Sequence, residues 1–274
     1  MNVWAGIPMG QLPGGTSCGQ IIEAADGTGV WAVKLMGHMW GVTSLVSDLV
    51  GCRLATTLGL PVPEVGVMEV SPSWGSHNPH LPCPKGGPIR VVAGPHFCNR
   101  YIPGSQDVHA LGERFFRQAR DLSWTPTLVG FDVWTLNRDR ENNQGNLIAV
   151  GSAPWDIYVI DQGHCFGGPP RPNADWTSEM LRQRIGIVWR PDLGASRVYG
   201  SMQVSWRKED IRRAIETIRG VSEDTLVEQL ESVPDEWLPE HGVELEAMLA
   251  FLIQRRGQAV QFLEELWQGG VVGG

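Results

Sequence analysis

The segment Gly14-Gly15-Thr16-Ser17-Cys18-Gly19 runs into a strand rather than a helix, and nothing else in the 274-residue chain constrains the fold as much. Glycines let successive backbone N–H groups close around phosphate oxygens. P-loops and dinucleotide-binding turns place that phosphate on a helix N-terminus. Here the loop is followed by strand-like Gln20 to Ala24, the turn Asp26-Gly27-Thr28-Gly29, and the β-branched and apolar run Val30-Trp31-Ala32-Val33-Lys34-Leu35. Both helix-based sites are therefore excluded, and a kinase-type hairpin lid survives. Lys34 ends the second strand of that hairpin. The chain has only three lysines, Lys34, Lys85 and Lys208, every other cation being arginine, so a strand lysine behind a glycine loop stands out. An edge-strand charge is its ordinary alternative.

Beyond the hairpin, Thr43 to Leu58 is apolar at helical spacing and stops at Gly59. Strands are expected over Val65 to Val70 and Ile89 to Ala93, separated by a Pro- and Gly-rich loop from Ser71 to Pro88. Phe97 to Tyr101 reads as an extended connector into Pro103-Gly104. From Asp107 onward the pattern turns helical: Ala110 to Leu122, Leu128 to Leu136, Trp206 to Arg219, Ser222 to Leu230 with Ser222 as N-cap, and Val243 to Trp267. The shift in pattern puts a boundary near residue 102.

A net charge of -8 argues against a broad electrostatic nucleic-acid surface, so any bound phosphate must be handled locally. Hydrophobic residues at 42% and charged residues at 19% give a globular balance. No run approaches the roughly 20 apolar residues of a membrane helix, and the N-terminus lacks a basic segment before an apolar one. A soluble, unexported, cytoplasmic protein is expected. The five cysteines are odd in number and form no CxxC pair, which fits reduced thiols. His77, His80 and Cys83 offer three zinc-type ligands without a fourth at the usual spacing, so a solvated loop is preferred over a structural metal site.

The densest polar constellation is Asn137-Arg138-Asp139-Arg140-Glu141-Asn142-Asn143-Gln144-Gly145-Asn146, set between an apolar helix and the strand-like Leu147 to Val150. A second strand, Asp156 to Ile160, ends in Asp161-Gln162-Gly163-His164. Turn chemistry alone accounts for Asn, Asp and Gly at such places. Yet a carboxylate and an amide at loop-to-strand junctions, with a second aspartate at the end of the paired strand, are the oxygen ligands that hold Mg²⁺ on a nucleotide.

Taken in order, the loop GGTSCG, the strand WAVKL, the helix end LATTLGLPVPE, the connector PHFCNRY, the segment FDVWTLNRDRENNQGNLI and VIDQGHCF make the chain resemble the HipA-like kinases, distant relatives of protein kinases and phosphatidylinositol kinases. The resemblance implies an α+β, bilobal protein-kinase-like fold. Residues 1–102 would form an N-lobe of antiparallel sheet plus helix, and 103–274 a mostly helical C-lobe. It also implies ATP and Mg²⁺ as cofactors. Thr16, Ser17, Cys18 and Gly19 would close over the nucleotide. Lys34 would contact the α- and β-phosphates, with Asp48, one methylene shorter than the usual glutamate, at the position that pairs with it. Phe97, Cys98 and Asn99 would receive adenine through backbone groups. Asp139 would orient the acceptor hydroxyl, and Asn146 and Asp161 would hold the metal. The common kinase spacing would instead select Gln144; Asn146 is chosen because it directly precedes the apolar strand, with Asn142 and Asn143 as fallbacks. Asp161-Gln162-Gly163 lacks the aromatic that drives an in/out switch. Ser17 is the first suspect for autophosphorylation. The expected acceptor is a protein Ser or Thr, the alternatives being a small-molecule or lipid kinase and a non-catalytic nucleotide-binding module. The chain is shorter than toxin-type HipA proteins, so an antitoxin partner is not implied.

Overall fold

The fold is described from a computed structural model over residues 1–12, 18–83, 87–108, 113–141, 143 and 146–269. It is mixed α and β. Five strands close into a barrel in the order β1 (Asn2–Gln11), β2 (Gln20–Ala24), β3 (Val30–Lys34), β7 (Gly94–Arg100) and β4 (Val65–Val70). All neighbours are antiparallel except β4 and β1, whose parallel pairing completes the ring. Inward alternation along these strands buries Val3, Ile22, Trp31, Val33, Met68 and Cys98 as one apolar cluster. Helix α1 (Val42–Thr57) carries buried residues all round, including Leu45, Val46, Leu49 and Val50, because it is packed between the barrel and the helical remainder of the chain.

Between β4 and β7 the chain forms the short helix α2 (Pro72–His77), capped by Ser71, and the two-residue strands β5 (His80–Leu81) and β6 (Ile89–Arg90). The strand expected over Ile89 to Ala93 is thus shorter, and Ser71 to Pro88 is not a bare loop. The expected extended connector at Phe97 to Tyr101 is largely strand, since β7 pairs with β3 on one edge and β4 on the other. Buried His96 and the polar Asn99 break the apolar alternation that would have marked it. Its imidazole accepts from the Met36 N–H at 2.9 Å and contacts the Val92 carbonyl at 2.9 Å, which fixes the turn after β3. Strand β1 was not expected either, because Trp4, Ile7 and Met9 lie exposed and hide its period.

Reduced thiols were expected throughout, but Cys18 and Cys83 form a disulfide across 65 residues. Cysteine spacing carries no record of which loops become neighbours. Gln20 bridges the same two segments, its side-chain amide donating to the Cys18 carbonyl at 2.8 Å and the Pro82 carbonyl at 3.0 Å. The thiols of Cys52, Cys98 and Cys165 are free and buried.

A three-stranded sheet, β8 (Gln106–Asp107), β9 (Leu147–Val150) and β10 (Asp156–Val159), lies between the barrel strands and most of the helices in the chain. Where a helix was expected from Ala110, the described residues form a 3₁₀ turn, Glu113–Gln118. The helices α3 (Thr125–Thr135), α4 (Ser178–Ile185), α6 (Lys208–Gly220) and α7 (Glu223–Glu231) pack on the long α8 (His241–Gln268), and the short α5 (Tyr199–Gln203) packs on α3. Trp134 donates its indole N–H to the Leu252 carbonyl. Arg255 of α8, fully buried, donates to the carbonyls of Val133, Trp134 and Ile187 at 2.8, 3.0 and 2.6 Å. Those are the carbonyls left over where α3 and the turn after α4 end, and the guanidinium satisfies them. Among the described residues no helix is long and apolar enough to cross a membrane.

Candidate functional site

Three chain segments meet at Lys34. As the last residue of β3 it projects its amine to Asp48 of α1 and to Asp161, just after β10, at 2.7 Å each. Its side chain is 14% exposed, that of Asp48 fully buried, and that of Asp161 35% exposed. Burial works against the Lys34 charge, but the two carboxylates outweigh it and hold the amine above its ordinary range. Asp48 is pushed up to about 6 by burial, which Lys34 offsets only in part. Asp161 is held down to about 2, because Lys34 overcomes the cost of its burial. Asp48 uses both oxygens: Oδ1 accepts the Gln162 N–H at 2.8 Å while Oδ2 faces Lys34. Asp48 is long enough, despite the missing methylene, to fix both the lysine and the backbone after Asp161.

Asp161 has φ 57°, in the left-handed region that a non-glycine residue rarely adopts. The Lys34 and Gln162 contacts over-determine that turn.

The second half of the site is the loop after α3. Leu136, at φ 57°, ends the helix, and Asp139 opens a 3₁₀ turn, Asp139–Glu141. Asp139 Oδ2 accepts from the side-chain amides of Asn146 at 2.8 Å and Asn143 at 3.0 Å. That leaves the Asn146 side-chain oxygen to serve another ligand. Beneath this loop lies a buried network for which the sequence reading assigned no role. Arg140, with no exposed surface, pairs with Asp132 at 2.9 Å and donates to the carbonyls of Asn146 and Ile160 and to the Gln162 side chain. Tyr199 donates to the same Asp132 at 2.8 Å. Burial pushes Asp132 up to about 6, with Arg140 opposing it. One guanidinium therefore fixes the residue before Asp161, the residue after it, and Asn146. The available signal was Asp132, a carboxylate inside an apolar helix, which must find a cation or stay protonated.

Of the other expected site residues, Thr16 and Ser17 lie outside the described residues, as do Asn142 and Gln144. Cys18 commits its sulfur to Cys83, and its carbonyl accepts from the Gln20 side-chain amide. Gly19 uses its carbonyl to accept from the Leu12 N–H. Phe97, Cys98 and Asn99 pair with Lys34, Val33 and Ala32 on one side and with Val67, Gly66 and Val65 on the other. Both edges of the strand at these residues are thus paired within the barrel. Backbone free of that double pairing begins after Arg100, where Tyr101 still donates to the Val30 carbonyl and Ile102 follows. Cys83 is disulfide-bonded and His77 contacts the Ser73 carbonyl, and among the described residues no cluster of three or more His, Cys, Asp or Glu could hold a metal.

The HipA-like kinase family model matches residues 15–185, more than half of the chain. The chain belongs to the HipA-like kinase family. This HipA-like kinase is similar in fold to the crystal structure of the Helicobacter pylori proinflammatory kinase CtkA, with 12% identity, 98% of each chain covered and a TM-score of 0.61. It also aligns with HipA of Shewanella oneidensis MR-1, solved with HipB and operator DNA, at 12% identity and a TM-score of 0.44, over 96% of this chain and 68% of that one. A search of curated proteins found no match.

Proposed function

We propose that this HipA-like kinase is an ATP- and Mg²⁺-dependent phosphotransferase acting on a hydroxyl acceptor, with a protein Ser or Thr as the leading candidate. The observation that carries the reading is Lys34 Nζ held at 2.7 Å by both Asp48 and Asp161, a cation fixed at a glycine-loop hairpin beside a carboxylate with free coordinating capacity. The layout is read as bilobal: residues 1–102 contribute the barrel, and 103–274 the loop and helical scaffold.

In this reading Lys34 neutralises the α- and β-phosphates, and Asp48 keeps its amine aimed. Asp161 and the Asn146 side-chain oxygen hold Mg²⁺. The donor set fits, because Mg²⁺ takes hard oxygen ligands and is bound through one or two protein groups with phosphates and water completing its shell, so no larger acidic cluster is required. The metal supplies charge neutralisation on the phosphates. Adenine is received by the backbone after Arg100 rather than by Phe97 to Asn99. Asp139 orients the acceptor hydroxyl and takes its proton, and the amides of Asn143 and Asn146 keep that carboxylate oriented. Arg140 positions both halves of the site without touching substrate.

Calorimetric titration with Mg·ATP, followed by an ATP-turnover assay, tests this. Wild type binds saturably. Lys34→Ala weakens binding by on the order of tenfold, and Asp139→Asn binds as wild type but loses turnover by on the order of 10²-fold or more. Absence of Mg·ATP binding by wild type overturns the nucleotide site. Equal turnover by Asp139→Asn removes that residue from the chemistry.

A further inference from the structure

An acidic protein concentrates arginines beside this site, of which Arg190 pairs with Glu265. From Phe166 to Gly200 five arginines stand against three acids, although the whole chain is at -8. Each of those acids is engaged locally. Asp175 accepts from the backbone and hydroxyl of Thr43, Glu179 from Gln183, and Asp192 from the N–H groups of Gly194 and Ala195. Arg138, next to Asp139 in the chain, is exposed, and no ion pair joins it or Arg184 to a carboxylate among the described residues.

Arg184 is pinned against the same corner. Its Nη1 donates to the Phe166 carbonyl at 2.7 Å. A methyl group placed on Gly167 would meet both the Arg184 side chain and Leu136, at 3.1 to 3.2 Å, so Arg184 lies beside the residue two before Arg138. Behind them, Arg255 donates to the Arg184 carbonyl at 3.2 Å with its charge wholly buried. Burial first, then repulsion from Arg138, lowers the basicity of Arg184 and of Arg255, the latter to about 10. Arg138, Arg184 and Arg255 thus lie near one another, between the loop bearing Asp139 and the segment that follows Asp161, with no ion pair to a carboxylate among the described residues. Such a concentration of positive potential attracts an anion, and arginine forks match phosphate and carboxylate geometry.

We propose that Arg138 and Arg184 form an anion subsite for the acceptor, so that the molecule phosphorylated carries a phosphate or carboxylate group near its reacting hydroxyl. This rests on the kinase reading above. In the transfer the acceptor oxygen forms its bond to Pγ, the bond from Pγ to the β,γ-bridging oxygen breaks, and ADP leaves with that electron pair. The hydroxyl proton passes to Asp139. The anion held by the arginines takes no part in bond making; it fixes where the hydroxyl sits.

The test is equilibrium binding of inorganic phosphate to the full chain saturated with Mg²⁺ and a nonhydrolysable ATP analogue, which keeps phosphate out of the nucleotide site. Wild type should bind phosphate in the millimolar range, and Arg138→Gln, which removes an exposed side chain, should weaken this by on the order of tenfold while analogue affinity stays unchanged. Arg219→Gln, which removes a distant surface cation paired with Glu264, should bind as wild type. The same titration with the peptide Glu-Glu-Ser-Glu-Glu separates the two sources of the anion. Tighter binding of the peptide assigns it to an acidic protein acceptor, and binding of phosphate alone assigns it to a small phosphorylated compound. The proposal is overturned if wild type binds neither probe, if Arg138→Gln binds as wild type, or if Arg219→Gln loses as much. Failure to bind the ATP analogue would instead count against the kinase reading, and phosphate binding in the absence of analogue, still lost in Arg138→Gln, would keep the anion site.

Discussion

Replacing Cys83 by Ser should cost much of the stability of this fold, although it alters little in the folded molecule. The Cys18–Cys83 bond spans 65 residues, a stretch containing β2, β3, α1 and β4. In the native state Gln20 already holds the two segments together through the Cys18 and Pro82 carbonyls. Loss of the bond is therefore felt mainly in the unfolded chain, which regains the freedom of a long loop. For a loop of this length the chain-entropy estimate is about 4 kcal/mol at 25 °C, an upper figure where the unfolded chain keeps residual structure. The assay is urea unfolding of air-oxidised wild type against Cys83→Ser and against wild type in a dithiol reductant. Thiol titration of the denatured oxidised chain should count the three free cysteines, Cys52, Cys98 and Cys165, and all five after reduction. Variant and reduced wild type should unfold at the same, lower urea concentration, with a steeper transition because the open unfolded chain exposes more surface. With the bond shown to be formed, a loss below about 1 kcal/mol would refute the loop-entropy argument. Five thiols before reduction would refute the bond itself.

Three further outcomes follow from the site. Arg140→Leu leaves Asp132 buried without its cation and should destabilise by about 3–5 kcal/mol in urea unfolding, a loss under about 1 kcal/mol showing that Tyr199 alone satisfies the carboxylate. His96 is buried and its pKa lowered from 6.5 to about 4, so the unfolded chain takes up a proton that the fold refuses. Its contribution is complete above pH 6.5 and is lost as the pH falls toward 4. The stability advantage of wild type over His96→Gln should therefore shrink by about 1.4 kcal/mol per pH unit across that window, and a constant difference would contradict it. Asn146→Ala should raise the Mg²⁺ concentration needed for half-maximal nucleotide binding by on the order of tenfold or more, whereas Gln144→Ala should not; the reverse pattern would restore the common kinase spacing.

Local pattern made part of this molecule legible. The hairpin leading to Lys34, the helix after it and the strand Val65–Val70 each announce themselves within a few residues, through turn chemistry or apolar period. The segments singled out around Lys34, Asp48 and Asp161 come together although 127 residues separate the outer two. What stayed hidden depends on long-range neighbours. Phe97 to Asn99 read as a free connector because no local signal tells a strand with one neighbour from a strand with two. The brace formed by Arg140, Asp132, Gln162 and Tyr199 joins residues from four separate elements, and nothing in the order of residues says that Tyr199 reaches a helix 67 positions earlier. The disulfide is of the same kind.

Arg255 bears on where this chain can be divided. Its helix begins at His241, well past residue 185 where the family match stops, yet its guanidinium closes the carbonyl end of the helix that leads into Asp139. A fragment trimmed to the matched region would expose Leu128, Val133 and Trp134, and would leave the Val133 and Trp134 carbonyls without their donor. The kinship is recorded in one stretch of sequence while the capacity to fold extends over another. Recombination or proteolysis between them should therefore separate the loop bearing Asp139 from the guanidinium that closes the helix before it.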